Sequence, residues 1–103
     1  MKQQVIAEIS IVPIGTVSPS VSQYVAACLE LLKKAEEVCY QLTPMGTIIQ
    51  GPLEKVMDLV QQMHEVPFEM GAQRVSTLIK IDDRRDKLQS MEDKVQAVAS
   101  REK

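Results

Sequence analysis

Arg74 to Ile81 alternates in the manner of a strand. Val75, Thr77, Ile79 and Ile81 fall on one side, and Arg74, Ser76, Leu78 and Lys80 on the other. The segment runs directly into Asp82-Asp83-Arg84-Arg85-Asp86. Gln3 to Val12 has the same period. Val5, Ala7, Ile9 and Ile11 share one face, and Ile6, Glu8, Ser10 and Val12 share the other. The second face mixes apolar and polar groups, as expected of a surface covered in an assembly. Pro13 lacks an amide hydrogen and is expected to end the ladder, and Gly15 lets the chain turn.

Between these strands the period changes. Ser18-Pro19 reads as a helix start. Val21, Val25, Cys28, Leu29, Leu32 and Ala35 then recur at helical spacing, with Tyr24 and Leu31 widening the stripe. This predicts an amphipathic helix of about five turns. Val38 to Thr43 and Thr47 to Gln50 read as a hairpin around Pro44-Met45-Gly46. Gly51-Pro52 is expected to break the second of these strands and open a helix. Leu53, Val56, Met57, Val60 and Met63 form its apolar face, widened by Leu59. That helix reaches His64 or Glu65, with Pro67 ending it or starting a further turn that closes near Gly71. Leu88, Met91, Val95 and Val98 predict a last helix from Lys87 to about Ala99.

The order strand, helix, strand, strand, helix, strand favours an α+β, ferredoxin-like two-layer sandwich, βαββαβ with an additional C-terminal helix. Right-handed crossings return each strand parallel to the one before, so the sheet is expected to be mixed, in the order fourth, first, third, second. Residues 1–86 form the ligand-binding and oligomerisation core, and residues 87–103 a helical extension of the same domain. Both main helices lie on one face. Ile6, Glu8, Ser10, Val12 and Leu78 are left on the other, which favours face-to-face self-association as a dimer, or a tetramer of two dimers.

Composition narrows the function. One Phe, two Tyr and no Trp leave an aliphatic core with six Met as adaptable filler. Twelve basic and fourteen acidic side chains give a formal charge of −2, without the positive field of a non-specific nucleic-acid binder. Paired aromatic strand positions for base stacking are missing as well. Two Cys make no disulfide framework, no segment reads as a signal peptide, and no apolar run spans a membrane. A cytoplasmic location is the default.

Catalytic signatures are missing too. His64 is the only His, and no H-E-x-x-H, C-x-x-C, phosphate-loop or dinucleotide motif occurs. No metal site, cofactor or catalytic residue is therefore assigned. The Asp82–Asp86 run reads as a self-compensated strand exit in preference to an ion site. The polar residues worth following are Glu8 and Ser10, Thr43 and Thr47 beside the hairpin turn, and Arg74 and Ser76. For Glu8 three roles stand open: an interface residue or salt bridge to Arg74, a ligand contact, and catalysis.

Four segments together resemble the small thiamine-binding protein family. They are Pro13-Ile14-Gly15-Thr16, Pro44-Met45-Gly46-Thr47, the stretch from His64-Glu65 to Gly71-Ala72, and Arg74 to Arg85. The resemblance covers the chain through Asp86. It implies a ferredoxin-like homo-oligomer that binds thiamine or its hydroxymethylpyrimidine part without catalysis. Under that resemblance Glu8 meets positive charge or an amino group. Ser10, Thr43 and Thr47 supply smaller polar contacts, and Ile6, Leu42 and Met45 cover ring surface. Gln50 stands where many relatives look to carry Glu, which removes a negative charge beside the second helix start. The competing readings are a structural or regulatory homo-oligomer without thiamine binding, and a cryptic small-molecule enzyme.

Overall fold

A computed structural model describes residues 4–15 and 22–86. The elements are β1 (Gln4–Pro13), α1 (Ser22–Lys34), β2 (Cys39–Thr43), β3 (Gly46–Pro52), α2 (Leu53–Glu69) and β4 (Val75–Asp82). They form one four-stranded sheet in the order β2-β3-β1-β4, with both helices packed on the same face. This is the α+β, ferredoxin-like arrangement that the alternating periods imply. The helix expected over Lys87–Ala99 and the Ser18-Pro19 helix start lie outside the described residues.

Every pair of neighbouring strands is antiparallel, so the expected mixed sheet is corrected. The reason is topological. β3 lies between β1 and β2, so strands that a helix crossing leaves parallel never become hydrogen-bonded neighbours.

Three boundaries also differ from expectation. Pro13 is itself paired with Val75, and the amide of Ile14 still donates to the Arg74 carbonyl at 2.8 Å. Gly51-Pro52 does not break β3. Val5 pairs with Gly51 and Gln4 with Pro52, so the strand runs straight into α2. Pro52 occupies the N-cap, where an extended backbone is required and a missing donor costs little. Pro67 neither ends α2 nor starts a new turn; it lies inside the helix. The helix ends at Glu69 with Met70 as its C-cap, and the chain then turns at Gly71, whose φ of 104° a residue with a side chain rarely adopts.

The core follows the predicted faces. Val5, Ala7 and Ile9 of β1 and Ile49 of β3 lie buried beneath Cys28 and Leu32 of α1 and Val56, Leu59, Val60, Met63 and Val66 of α2. Met57, expected on the apolar face of α2, is instead 40% exposed. Each residue of a helix is rotated by about 100° from the one before it, so Val56 and Val60 face the sheet while Met57 turns aside. Ile79 and Ile81 share the helix side of β4 but remain partly exposed, because β4 is an edge strand.

Pro67 removes the amide that would bond the carbonyl of Met63 one turn earlier. The thiol of Cys28 donates to that carbonyl instead, across the α1–α2 contact, at 3.8 Å. The same burial raises the Cys28 pKa above its ordinary value of 9.0 and so keeps the donor proton in place. We expect Cys28→Ala to destabilise the fold by about 1–3 kcal/mol through the carbonyl it leaves without a donor. In a Pro67→Ala background, where residue 67 regains an amide, the cost should fall by about 1 kcal/mol in a urea-denaturation double-mutant cycle.

Candidate functional site

At one end of the sheet the β2–β3 hairpin rises beside the N-terminal half of α1. The gap between them is a pocket of about 340 Å³, lined by Ile9, Ser10, Ile11 and Val12 of β1, Tyr24, Val25 and Cys28 of α1, Leu42 to Thr47 of the hairpin, and Met63 of α2. Its walls are mostly apolar, and none of its lining side chains is formally charged. Its volume falls near the lower end of the roughly 300–1,000 Å³ typical of small-molecule sites.

The hairpin tip is shaped by two local constraints. The Thr43 hydroxyl accepts from the amides of Met45 and Gly46, at 3.3 and 3.1 Å, and donates to the Gly46 carbonyl at 2.9 Å. One donor and two acceptor sites are the whole capacity of a hydroxyl, so the turn occupies it fully. Gly46 lets the tip press against β1; a Cβ there would lie 2.6 Å from the Ile9 carbonyl oxygen. Met45 projects from the tip and is 81% exposed.

Five of the seven residues singled out in the sequence border this pocket: Ser10, Leu42, Thr43, Met45 and Thr47. Thr47 is buried on the helix side of β3 and Ser10 is half-buried. Ile6 and Glu8 are not among the lining residues. Both alternate onto the open face of the sheet, away from the helices. There Glu8 stands opposite Ile48 on one side and Lys80 on the other. A pairing of Glu8 with Arg74 does not fit this register, because Arg74 precedes β4 and its carbonyl bonds Ile14, at the far end of β1. Gln50 sits opposite Ile6 and Cys39, also on the open face.

Sequence reasoning missed the α1 wall. Tyr24, Val25 and Cys28 carry the helical apolar period that predicts an amphipathic helix, with no sign of a pocket beside it. That period says a residue faces the sheet, but not whether the sheet beneath it is filled. Val25 remains 37% exposed because the hairpin tip stands off from it.

The other polar clusters have local partners. Arg84 bonds Asp86 at 2.6 Å and Arg85 bonds Asp83 at 2.9 Å, all within the strand exit. His64 Nδ1 shares a 2.7 Å hydrogen bond with Thr77 Oγ1, tying α2 to β4, and its ring meets the edge of Phe68 at 5.6 Å. Among the described residues no three His, Cys, Asp or Glu side chains converge as a metal site. No helix among them is long and apolar enough to cross a membrane.

These features define a small ferredoxin-like α+β protein with an uncharged pocket between its first helix and its central hairpin. The chain belongs to the thiamine-binding protein family, whose sequence pattern matches residues 7–99. It is 49% identical over 96 residues to the UPF0045 protein YqgV of Bacillus subtilis, covering 90% of this chain and 92% of that one. A hypothetical protein of Methanocaldococcus jannaschii has the same fold. The two superpose with a TM-score of 0.85 at 33% identity, over 94% of this chain and 97% of the other. A Thermotoga maritima protein, described as a candidate thiamine biosynthesis/salvage protein, shares the fold with a TM-score of 0.74 at 22% identity. That match covers 92% of this chain and 98% of the other.

The two cysteines differ sharply in environment: Cys39 is exposed on β2 and Cys28 is buried in the pocket floor. Iodoacetamide at pH 8 should therefore alkylate Cys39 readily and Cys28 only on unfolding, as peptide mass mapping would read. Because the folded Cys28 pKa is raised, its contribution to stability is complete below 9.0 and declines as pH rises through the folded value. Alkaline titration of the melting temperature should show that decline, and Cys28→Ala should lack it.

Proposed function

We propose that this protein binds thiamine or its hydroxymethylpyrimidine part in the pocket between α1 and the β2–β3 hairpin, without catalysing a reaction. One observation carries the reading. In a chain of the thiamine-binding family, the pocket bordered by five of the anticipated residues is apolar and bears no charged side chain. Such a wall suits the neutral aminopyrimidine ring. It does not suit the thiazolium cation, whose burial without a counter-charge is costly. The pyrimidine therefore enters and the cationic ring stays at the mouth, near exposed Met45.

Roles can then be divided among the lining residues. Ile11, Val25, Leu42 and Met45 cover the faces of the ring. Thr47 and the Tyr24 hydroxyl supply hydrogen bonds to its nitrogens and amino group. Thr43 holds the turn, and its methyl group and backbone serve as wall. Glu8 and Ile6 belong to a different surface. The described residues show no activated nucleophile or general acid–base pair beside the pocket, so binding is the economical activity. Free thiols at Cys28 and Cys39 suit the reducing cytoplasm.

The open face supports a second reading, self-association as a dimer or tetramer. Leu78 is 72% exposed there, beside Val12, Ile6 and Ile48, around the oppositely charged Glu8 and Lys80. A two-fold contact lets each Glu8 approach the Lys80 of the other copy while the aliphatic groups leave water.

Calorimetry with thiamine and with hydroxymethylpyrimidine tests the ligand. Both should bind the wild type. Val25→Trp, which fills the pocket from a partly exposed position, should weaken both at least about tenfold, or ~1.4 kcal/mol, with the melting temperature kept. Glu8→Gln should leave binding nearly unchanged. Failure of the wild type to bind either compound at millimolar concentration would remove the assignment. Separately, Leu78→Lys should lower the particle mass measured by light scattering; an unchanged mass would exclude the open face as an interface.

A further inference from the structure

Beneath the apolar walls of the pocket lie two polar groups that the fold leaves under-satisfied. The first is a backbone carbonyl. Pro67 takes away the amide that would bond the Met63 carbonyl within α2. The side-chain donor that this carbonyl meets among the described residues is the Cys28 thiol, at 3.8 Å. A thiol is a weak donor, and a carbonyl has two acceptor sites. Cys28 and Met63 both line the pocket, so this acceptor belongs to its floor. The second group is the Thr47 hydroxyl. Thr47 is only 9% exposed and lines the same pocket from β3. Every fully buried side-chain nitrogen or oxygen among the described residues has a hydrogen-bond partner. The Thr47 hydroxyl has none among them, so it is open to the cavity. The Thr43 hydroxyl, by contrast, is saturated by the hairpin turn.

We propose that the Met63 carbonyl, freed by Pro67, accepts a hydrogen bond from an exocyclic amino group of the ligand, while Thr47 donates to the ring nitrogen beside it. Given entry of the aminopyrimidine into this pocket, the reading on which this rests, the two groups select its amino edge. A 4-aminopyrimidine edge carries an N–H donor next to a nitrogen acceptor. A 4-oxopyrimidine edge carries the reverse, a carbonyl next to an N–H. The Thr47 hydroxyl can donate or accept and serves either edge. The Met63 carbonyl can only accept. An oxo group set against it places two acceptors face to face in an apolar site, where neither finds a donor. The backbone carbonyl therefore carries the discrimination. Pro67 is a positioning residue: it acts on the ligand through the carbonyl whose amide partner it removes. Cys28 holds the same carbonyl weakly from the α1 side and leaves its second acceptor site to the ligand.

Calorimetry with thiamine and with oxythiamine, its analogue bearing an oxo group in place of the ring amino group, reads this selection. The wild type should bind thiamine at least about tenfold more tightly than oxythiamine. Pro67→Ala returns an amide to residue 67 and engages the carbonyl within the helix. It should shrink that preference to about twofold or less, with folding checked by the melting curve. A merely structural effect of the same substitution would weaken both compounds alike and leave the preference standing. Thr47→Val keeps the side-chain shape and removes the hydroxyl, so it should weaken both compounds by a similar factor. Equal or reversed wild-type affinity for the two compounds needs no variant and would overturn the proposal while the ligand reading stands. A preference unchanged in folded Pro67→Ala would do the same. Binding of neither compound to the wild type would remove the ligand reading and the selection with it.

Discussion

The double pairing of β1 is the constraint on which the rest of this protein depends. It is hydrogen-bonded to β3 on one side and β4 on the other, and its inward residues Val5, Ala7 and Ile9 form the centre of the core. A strand held on both edges cannot slip by one residue without exposing that row and burying Glu8 among helices. Its register therefore determines which residues reach the helix side and which reach the open side. Ser10 alternates onto the same face as Glu8 and borders the pocket only because it lies at the hairpin end of β1, while Glu8, two residues earlier, stands opposite Lys80 away from it.

The pocket floor is also where a local defect of the fold is repaired. Pro67 in α2 deprives the Met63 carbonyl of its amide, and Cys28 of α1 donates to it. Both Cys28 and Met63 line the pocket. The helices are thus fastened at the depth that a bound ring would reach, while the hairpin tip above is held by the Thr43 hydroxyl and by the close approach of Gly46 to β1. A cavity needs walls that cannot collapse into it. Here each wall has its own restraint: a thiol–carbonyl contact below and a three-bond turn above.

Both edges of the sheet and its open face follow from the same order of strands. Putting β1 and β3 inside leaves β2 and β4 as the outer strands among the described residues, and β4 carries the charges that β2 lacks. The charge-rich exit after β4 closes on itself through Arg84–Asp86 and Arg85–Asp83, so its groups are engaged within the segment.

Much of this was legible in the residue pattern. Period-two alternation separated the faces of β1 and β4, and helical spacing placed Cys28, Leu32, Val56, Val60 and Met63 inward. A tight turn between two short strands required a hairpin, and the order of elements selected a ferredoxin-like sheet. Those properties are local, because alternation and spacing are set by backbone geometry within a few residues. Tertiary structure alone decided the rest. It carried β3 through Gly51-Pro52, continued α2 past Pro67, and left Val25 facing a gap instead of packed core. It also separated Glu8 from the hydroxyls of the hairpin. Each of these depends on how far one element stands from another, and a one-dimensional pattern can say which side a residue faces but not what occupies the space in front of it.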